Sequence, residues 1–218
     1  MYRMPMRQSV PRQPGIRNIF PNRRHKTHPD GLGCHTLSPM ILGPVQHNEK
    51  DLPPAKNVEN YYQYAKVYPD EYNPITKQIK PQFWVTMAKG YNDSEPHRRK
   101  ENRKRTEKPL FCVRRDENGE EHRYTYAQSR VFYCTHYEKL VRQQKQFDML
   151  VKMRADGYHL CLCGYDANAS VTSATNSLED ALLHLYRSEE KPFGHEMVLF
   201  TMLCIADPNM YPWNRKGE

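Results

Sequence analysis

The apolar residues of this chain form short segments whose spacing changes several times along the sequence. In the clearest segment, four residues recur at helical spacing: Val58, Tyr61, Ala65 and Tyr68. Asn57 stands where a helix needs an N-cap, and Pro69 cannot continue a helix. The pattern therefore predicts a helix over about residues 58 to 68.

The middle of the chain alternates between helical and strand-like patterns. Pro81 is a good first-turn residue for a helix that ends near Gly90. The pair Asn118-Gly119 lies between two alternating segments and is preferred in tight β-hairpin turns. Helical spacing over about residues 126 to 155 fits one or two helices.

The last third of the chain predicts a buried strand and two further elements. Residues 158 to 164 are short and almost wholly apolar, as in a buried strand. Ser177 begins a capped helix that reaches about Arg187. Residues 194 to 205 are apolar on all sides, which is typical of a central helix or strand. These patterns together predict an α+β fold, a mostly helical single domain with a small sheet or β-hairpin.

The composition is compatible with that fold. The chain has 218 residues, enough for one domain, and its 15 Tyr, 7 Phe and 2 Trp supply large side chains for a core. We expect the domain over residues 35 to 213, preceded by an arm over residues 1 to 34 and followed by a polar tail over 214 to 218.

The net charge of +8 is concentrated at the N-terminus. Residues 1 to 29 contain no acidic residue and seven cations: Arg3, Arg7, Arg12, Arg17, Arg23, Arg24 and Lys26. This segment also has five prolines and no apolar periodicity, so it cannot bury enough surface to offset its ordering entropy. We expect an arm that is disordered alone and extended when bound to nucleic acid or an acidic protein surface.

A second basic stretch covers residues 97 to 108, with seven basic and two acidic side chains, and is expected to be a solvated loop. It adds six candidate nucleic-acid contacts: Arg98, Arg99, Lys100, Arg103, Lys104 and Arg105. Binding through such cations is strongly salt-dependent, because it releases counterions from the phosphates.

Several classes of protein lack support in the sequence. No apolar run approaches the roughly 20 residues that span a bilayer, so we expect a soluble, intracellular protein without membrane insertion. The six cysteines show no C-x2-C pair, which favours reduced, buried thiols over a zinc site. The G-x-S-x-G and G-x-x-x-x-G-K motifs are absent. We expect neither a metal nor a cofactor.

Carboxylates remain as candidates for chemistry. Glu59, Gln63 and Lys66 share one face of the predicted helix, although this spacing alone favours a solvated stripe. Asp166 leaves the predicted buried strand, where it could open onto a pocket or simply form a turn. His195 begins the last apolar segment, where it could contact a ligand or be a satisfied core histidine.

Residues 58 to 68, VENYYQYAKVY, resemble the S-E-x-Y-[FY]-Q-x-x-K signature of NADAR-type N-glycosidases, with Val58 in place of the usual serine. Residues 137 to 166 and 193 to 203 are similar to later segments of that family. From residue 37 to 213 the chain is also similar to NADAR-like proteins of large DNA viruses and phages, through LSPM-x-LGP and PFGHE.

The resemblance implies hydrolysis of a ribosyl C–N bond, in a riboflavin-pathway intermediate or an ADP-ribosylated base. Glu59 would stabilise positive charge on the ribose, and Asp166 would activate water or orient the ribose. Five residues would bind the substrate: Tyr62, Gln63, Lys66, Trp84 and His195. Tyr62 or Trp84 would stack on the base.

The alternative is a non-enzymatic component of a virion or nucleoprotein that binds nucleic acid or a capsid layer through its basic arm. The viral likeness implies a location in the virion, the host cytoplasm or a viral factory. The two functions can coexist in one protein.

Overall fold

The structure is a computed structural model that describes residues 2–4, 14–23, 27–28, 31–99, 107–164, 166–167 and 177–215. Helices and strands are both present in this part of the chain, so the predicted α+β class is confirmed. The chain forms two compact units, the first from Met1–Ser38 with Cys134–Glu218 and the second from Pro39–Tyr133. None of the described helices combines the length and the apolar character that crossing a membrane requires.

The first unit contains a five-stranded sheet in the order β1-β10-β2-β4-β3. Its strands are β1 (Tyr2–Met4), β2 (Ile16–Phe20), β3 (Thr27–His28), β4 (Gly31–Gly33) and β10 (His159–Cys163). The predicted strand at 158 to 164 is thus β10, which pairs in parallel with both β1 and β2. It lies inside the sheet, which explains why its sequence is almost wholly apolar.

The N-terminal segment differs from the predicted free arm. The strands at 16–20 and 31–33 are extended, but they pair within the sheet rather than standing apart from the domain. Ile19 and Phe20 are buried, so this part of the segment does contribute apolar surface to the core. This pairing was not predicted from the sequence, because the apolar run Ile19-Phe20 was outweighed by the surrounding arginines and prolines.

The helices of the first unit follow the sequence patterns closely. They are α4 (Lys145–Ala155), α5 (Leu178–Arg187) and α6 (His195–Cys204), together with the larger part of α3 (Arg130–Val141). The Ser177 hydroxyl accepts a hydrogen bond from the Asp180 N–H at 3.1 Å, as the predicted cap requires. Eight consecutive residues of α6, from Glu196 to Leu203, are buried, in agreement with an element that is apolar on all sides.

The described part of the second unit contains two complete α-helices, the start of α3 and two small sheets. The helices are α1 (Val58–Gln63) and α2 (Pro81–Asn92). The strands are β5 (Lys66–Val67), β6 (Tyr72–Asn73), β7 (Gln78–Ile79), β8 (Phe111–Arg115) and β9 (Glu121–Tyr124). The hairpin of β8 and β9 turns at the predicted position, where Gly119 adopts a φ of 90°.

The helix predicted over 58 to 68 is shorter than its pattern. Asn57 caps it as expected, but it ends at Gln63, and Lys66 begins β5, which pairs with β8. The four residues at helical spacing are all buried: Val58, Tyr61, Ala65 and Tyr68. Apolar spacing located these four buried positions, whereas pairing with a distant strand decided the backbone conformation of the last residues.

Candidate active site

Glu59 is buried in the second unit. Its side chain lies on α1, and only 8% of the residue is exposed. The Glu59 N–H donates to the Pro39 carbonyl at 3.0 Å, which fixes the first turn of α1 against the preceding loop. Helical spacing alone favoured a solvated stripe, so the burial of this carboxylate is a result of the tertiary structure.

A short chain of hydrogen bonds connects Glu59 to Lys66. The Gln63 Nε2 donates to Glu59 Oε1 at 2.8 Å, and the Lys66 Nζ donates to Gln63 Oε1 at 3.0 Å. Because the amide donates at one end and accepts at the other, its orientation is fixed by both neighbours. Lys66 is only 5% exposed, so the structure brings a carboxylate, an amide and an ammonium group together at a desolvated position.

Tyrosines line this polar chain. The Lys66 Nζ lies 4.4 Å from the ring centroid of Tyr62 and 5.6 Å from that of Tyr126, distances at which cation–π attraction operates. The Tyr62 ring also packs against Tyr133, with their centroids 5.0 Å apart. Burial raises the pKa of Tyr62 well above its usual value, and the neighbouring Tyr126 raises it further. Tyr62 therefore stays protonated at neutral pH.

Arg99 contacts this site through the Lys66 carbonyl, and its guanidinium is already paired within the fold. Its guanidinium donates to the Lys66 carbonyl at 2.7 Å and forms an ion pair with Glu71. It also lies 5.4 Å from the ring centroids of both Tyr64 and Tyr68. With 8% of its side chain exposed, Arg99 is held within the fold, and its predicted nucleic-acid contact stays a prediction.

Trp84 is half-buried on α2, and an arginine already covers its indole ring. The Arg115 guanidinium carbon lies 3.6 Å from the ring centroid, and Phe83 packs edge-on at 5.1 Å. A shallow surface depression on the same helix is lined by six other residues: Val85, Ala88, Lys89, Asn92, Asp93 and Ser94. None of the predicted site residues lines that depression.

Sequence reasoning missed a second buried polar group in the same unit. Arg114 on β8 donates to Glu49 Oε1 at 3.0 Å, to the Tyr91 hydroxyl at 2.6 Å and to the Tyr61 carbonyl at 3.1 Å. Its guanidinium carbon also lies 3.7 Å from the Tyr61 ring centroid. The strand periodicity of β8 places Arg114 on the same face as the buried Cys112, which was the one available signal.

In the first unit, Asp166 is exposed beyond the end of β10. It lies against the start of α6, since a Cβ atom added to Gly194 would come within 2.7 Å of Asp166 Oδ2. The His195 Nε2 lies 2.9 Å from the Pro21 carbonyl, and its Nδ1 lies 3.2 Å from Glu196 Oε2. A carbonyl can only accept, so Nε2 donates to it, and this bond holds the imidazole beside the buried Glu196 carboxylate.

The remaining predicted cations are only partly described. Arg98 is exposed, Arg17 is exposed with its guanidinium carbon 5.4 Å from the Tyr158 ring centroid, and Arg23 is half-buried. The side chains of nine others lie outside the described residues: Arg3, Arg7, Arg12, Arg24, Lys26, Lys100, Arg103, Lys104 and Arg105. Their predicted role in nucleic-acid binding stays a prediction.

Three side chains at the turn of the β8–β9 hairpin lie close together, with potential ligand atoms of Asp116, Glu120 and His122 within 4.8 Å of one another. Asp116 Oδ1 already accepts hydrogen bonds from the backbone N–H groups of Glu120 and Asn118, at 2.8 and 2.9 Å. These bonds, that of Glu120 first, lower the pKa of Asp116. The carboxylate therefore closes the turn of the hairpin.

Comparisons with family models, with curated proteins and with solved structures find no match to this chain. The chemistry of the site must therefore be inferred from its own groups. A buried carboxylate held by an amide and flanked by an ammonium group and aromatic rings can stabilise a cationic transition state and bind a polar, partly aromatic ligand.

Proposed function

We propose that this protein is an N-glycosidase that hydrolyses the ribosyl C–N bond of a nucleotide or an ADP-ribosylated base. One observation carries the proposal: the buried hydrogen-bonded chain from Glu59 through Gln63 to Lys66. The residues of that chain are those that match the NADAR-type signature, and their shared polar arrangement is what such a reaction requires.

The reaction breaks the bond between the anomeric carbon of ribose and a base nitrogen. The bonding electrons leave with the base, so positive charge develops on the anomeric carbon and the ring oxygen. A fixed carboxylate beside that carbon stabilises this charge most effectively where water is largely excluded. Glu59 has this character, with 8% exposure and one carboxylate oxygen held by Gln63.

A water molecule completes the reaction. Its oxygen bonds to the anomeric carbon, one of its protons is released, and the departing base nitrogen gains a proton. Gln63 and Lys66 position polar or phosphate groups of the substrate. Asp166 belongs to the other unit, and the role that the resemblance implies for it, activating water or orienting the ribose, is tested separately with Asp166→Asn.

The test is an assay for released base. The protein is incubated with ADP-ribosylated DNA and with a panel of ribosyl nucleotides, including riboflavin-pathway intermediates, and free base is quantified by chromatography. Glu59→Gln keeps the size and the hydrogen-bonding capacity of the side chain but removes its charge. We expect it to lower the rate by roughly 10²- to 10³-fold, the usual cost of losing one preorganised electrostatic contact.

Glu117→Gln is the matched control, because Glu117 is an exposed carboxylate at the hairpin turn of the same unit. It should retain the wild-type rate. Failure of the wild-type protein to release base from any member of the panel would contradict the proposal. A Glu59→Gln variant that is as active as wild type would remove Glu59 from the mechanism.

A further inference from the structure

Tyr126 stands out among the tyrosines around the buried polar chain because its side chain reaches solvent. The residue is 39% exposed, whereas the neighbouring Lys66 is 5% exposed. Its ring centroid lies 6.2 Å from that of Tyr62 and 5.6 Å from the Lys66 Nζ. An exposed aromatic ring thus borders the group of residues to which we assign the reaction.

The turn that carries Tyr126 is held by reciprocal hydrogen bonds. The Thr125 N–H donates to Gln128 Oε1 at 2.8 Å, and the Gln128 N–H donates to Thr125 Oγ1 at 3.2 Å. The Ser129 hydroxyl then donates to the Tyr126 carbonyl at 2.8 Å. The backbone of Tyr126 is therefore fixed before any ligand arrives, which lowers the entropic cost of binding.

The Tyr126 ring is supported as well as its backbone. The guanidinium carbon of Arg130, a residue with only 2% exposure, lies 5.4 Å from the ring centroid. A buried cation near the ring attracts its electron-rich face and restrains its orientation. The ring combines a fixed position with an accessible surface.

Two other aromatic residues are less suitable as a stacking surface. The Trp84 ring carries the Arg115 guanidinium at 3.6 Å, so a base would have to displace that cation. Tyr62 is half-buried between Tyr126 and Tyr133, with centroid distances of 6.2 and 5.0 Å.

We infer that Tyr126 is the platform on which the base of the substrate stacks, an inference that rests on the proposed function. The class of ligand follows from the neighbouring groups. A planar heterocycle can lie on the ring, while its carbonyl oxygens or the attached phosphates face the Lys66 ammonium. Tyr126 determines specificity for the base, and Glu59 acts on the ribose.

The experiment measures the binding of two probes by calorimetry, guanosine monophosphate and ribose 5-phosphate, which differ in the presence of a base. Tyr126→Leu removes the aromatic face but keeps an apolar side chain of similar length. We expect it to weaken binding of guanosine monophosphate by roughly 5- to 100-fold, the usual contribution of base stacking on an aromatic ring, and to leave ribose 5-phosphate unchanged.

Tyr126→Phe is the matched control and should bind both probes as wild type does, because it keeps the ring. Trp84→Leu tests the competing stacking residue and should leave the ratio of the two affinities unchanged. Denaturant titration of each variant confirms that it is folded.

Three results would overturn the inference. In the first, Tyr126→Leu lowers the affinity for both probes equally. In the second, Trp84→Leu instead selectively lowers the affinity for the nucleotide. In the third, wild type does not bind guanosine monophosphate. Failure of the proposed function would look different, because Tyr126-dependent nucleotide binding would then persist although wild type releases no base.

Discussion

Two buried polar groups lie next to consecutive tyrosines of α1, and they are built differently. Around Tyr61, Arg114 forms a direct ion pair with Glu49, with their atoms 3.0 Å apart, and also bonds Tyr91 and a backbone carbonyl. Around Tyr62, the amide of Gln63 links Lys66 to Glu59 through two hydrogen bonds.

Under the proposed function, the first group stabilises the fold and the second takes part in the reaction. The guanidinium of Arg114 uses several of its donors on acceptors within the fold, so this network resembles a satisfied core element. In the other group, half-buried Gln63 and exposed Tyr126 border the buried ions, and the signature residues lie there. We expect substitutions in the first group to reduce stability and conservative substitutions in the second to reduce function.

The largest effect is expected for the direct ion pair. Arg114→Met or Glu49→Gln leaves the partner charge buried, which costs about 3–5 kcal/mol in the free energy of unfolding. Urea titration measures this loss. The Arg114→Met/Glu49→Leu double variant should lose less than the sum of the single variants, because it leaves no unpaired charge.

Glu59→Gln is the control for that prediction and should change the free energy of unfolding by less than about 1 kcal/mol, since Gln can still accept the hydrogen bond from Gln63. If Glu59→Gln destabilised the protein as strongly as Glu49→Gln, the distinction between the two groups would fail.

Removing a tyrosine hydroxyl from either group is expected to lower the free energy of unfolding by a smaller amount. Tyr91→Phe removes the acceptor that lies 2.6 Å from an Arg114 nitrogen, which should cost about 1–3 kcal/mol. Tyr62→Phe should cost about 0.5–1.5 kcal/mol, because its hydroxyl is hydrogen-bonded to the neutral hydroxyls of Tyr126 and Ser129. Denaturant titrations compare the two, and a larger loss in Tyr62→Phe would reverse the assignment of the structural network.

Alkaline pH should weaken both groups through the same tyrosines. Burial raises the pKa of Tyr62 and Tyr91 well above the usual value. The unfolded chain ionises near pH 10 while the folded protein keeps these protons, so their contribution is full below about pH 10 and is lost as pH rises further.

Unfolding free energies at pH 9, 10 and 11 measure this slope. Each phenylalanine variant removes one proton from the difference between the folded and unfolded states. The slope of unfolding free energy against pH should then become shallower by roughly 1.4 kcal/mol per pH unit where the unfolded tyrosine is ionised. A slope that is unchanged in Tyr91→Phe would contradict the raised pKa of that residue.

The smallest effect is expected for the adjacent residues Arg98 and Arg99, through the salt dependence of nucleic-acid binding. Arg98→Gln should reduce the slope of log affinity against log salt by about one contact if this arginine binds a phosphate of double-stranded DNA. Arg99→Gln should leave that slope unchanged, because Arg99 is paired with Glu71. Filter binding at several salt concentrations makes the comparison, and equal slopes for wild type and Arg98→Gln would remove Arg98 from the interface.

The N-terminal segment needs a different design. Deleting residues 1 to 33 would remove β2, whose Ile19 and Phe20 are buried, so loss of binding would not identify the cations responsible. Replacing Arg7, Arg12 and Arg24 with Gln leaves β2 in the chain and tests the predicted nucleic-acid contact directly.

The sequence by itself determined the features that depend on near neighbours. The caps at Asn57 and Ser177 formed as predicted, because a side-chain oxygen and an N–H three residues later suffice. The turn at Gly119 formed as predicted, because it needs a positive φ and glycine is one of the few residues that tolerate it. Apolar spacing likewise identified four of the buried residues between Val58 and Tyr68, but not Glu59 or Lys66.

The tertiary structure decided which polar residues are buried together. Arg114 and Glu49 are 65 positions apart, and no local pattern connects them. Because β5 pairs with β8, α1 ends at Gln63. Lys66 lies on β5, and its Nζ donates a hydrogen bond to Gln63 from there. A side chain's partners across the fold depend on how the whole chain closes, whereas periodicity reports only which face of its own element it occupies.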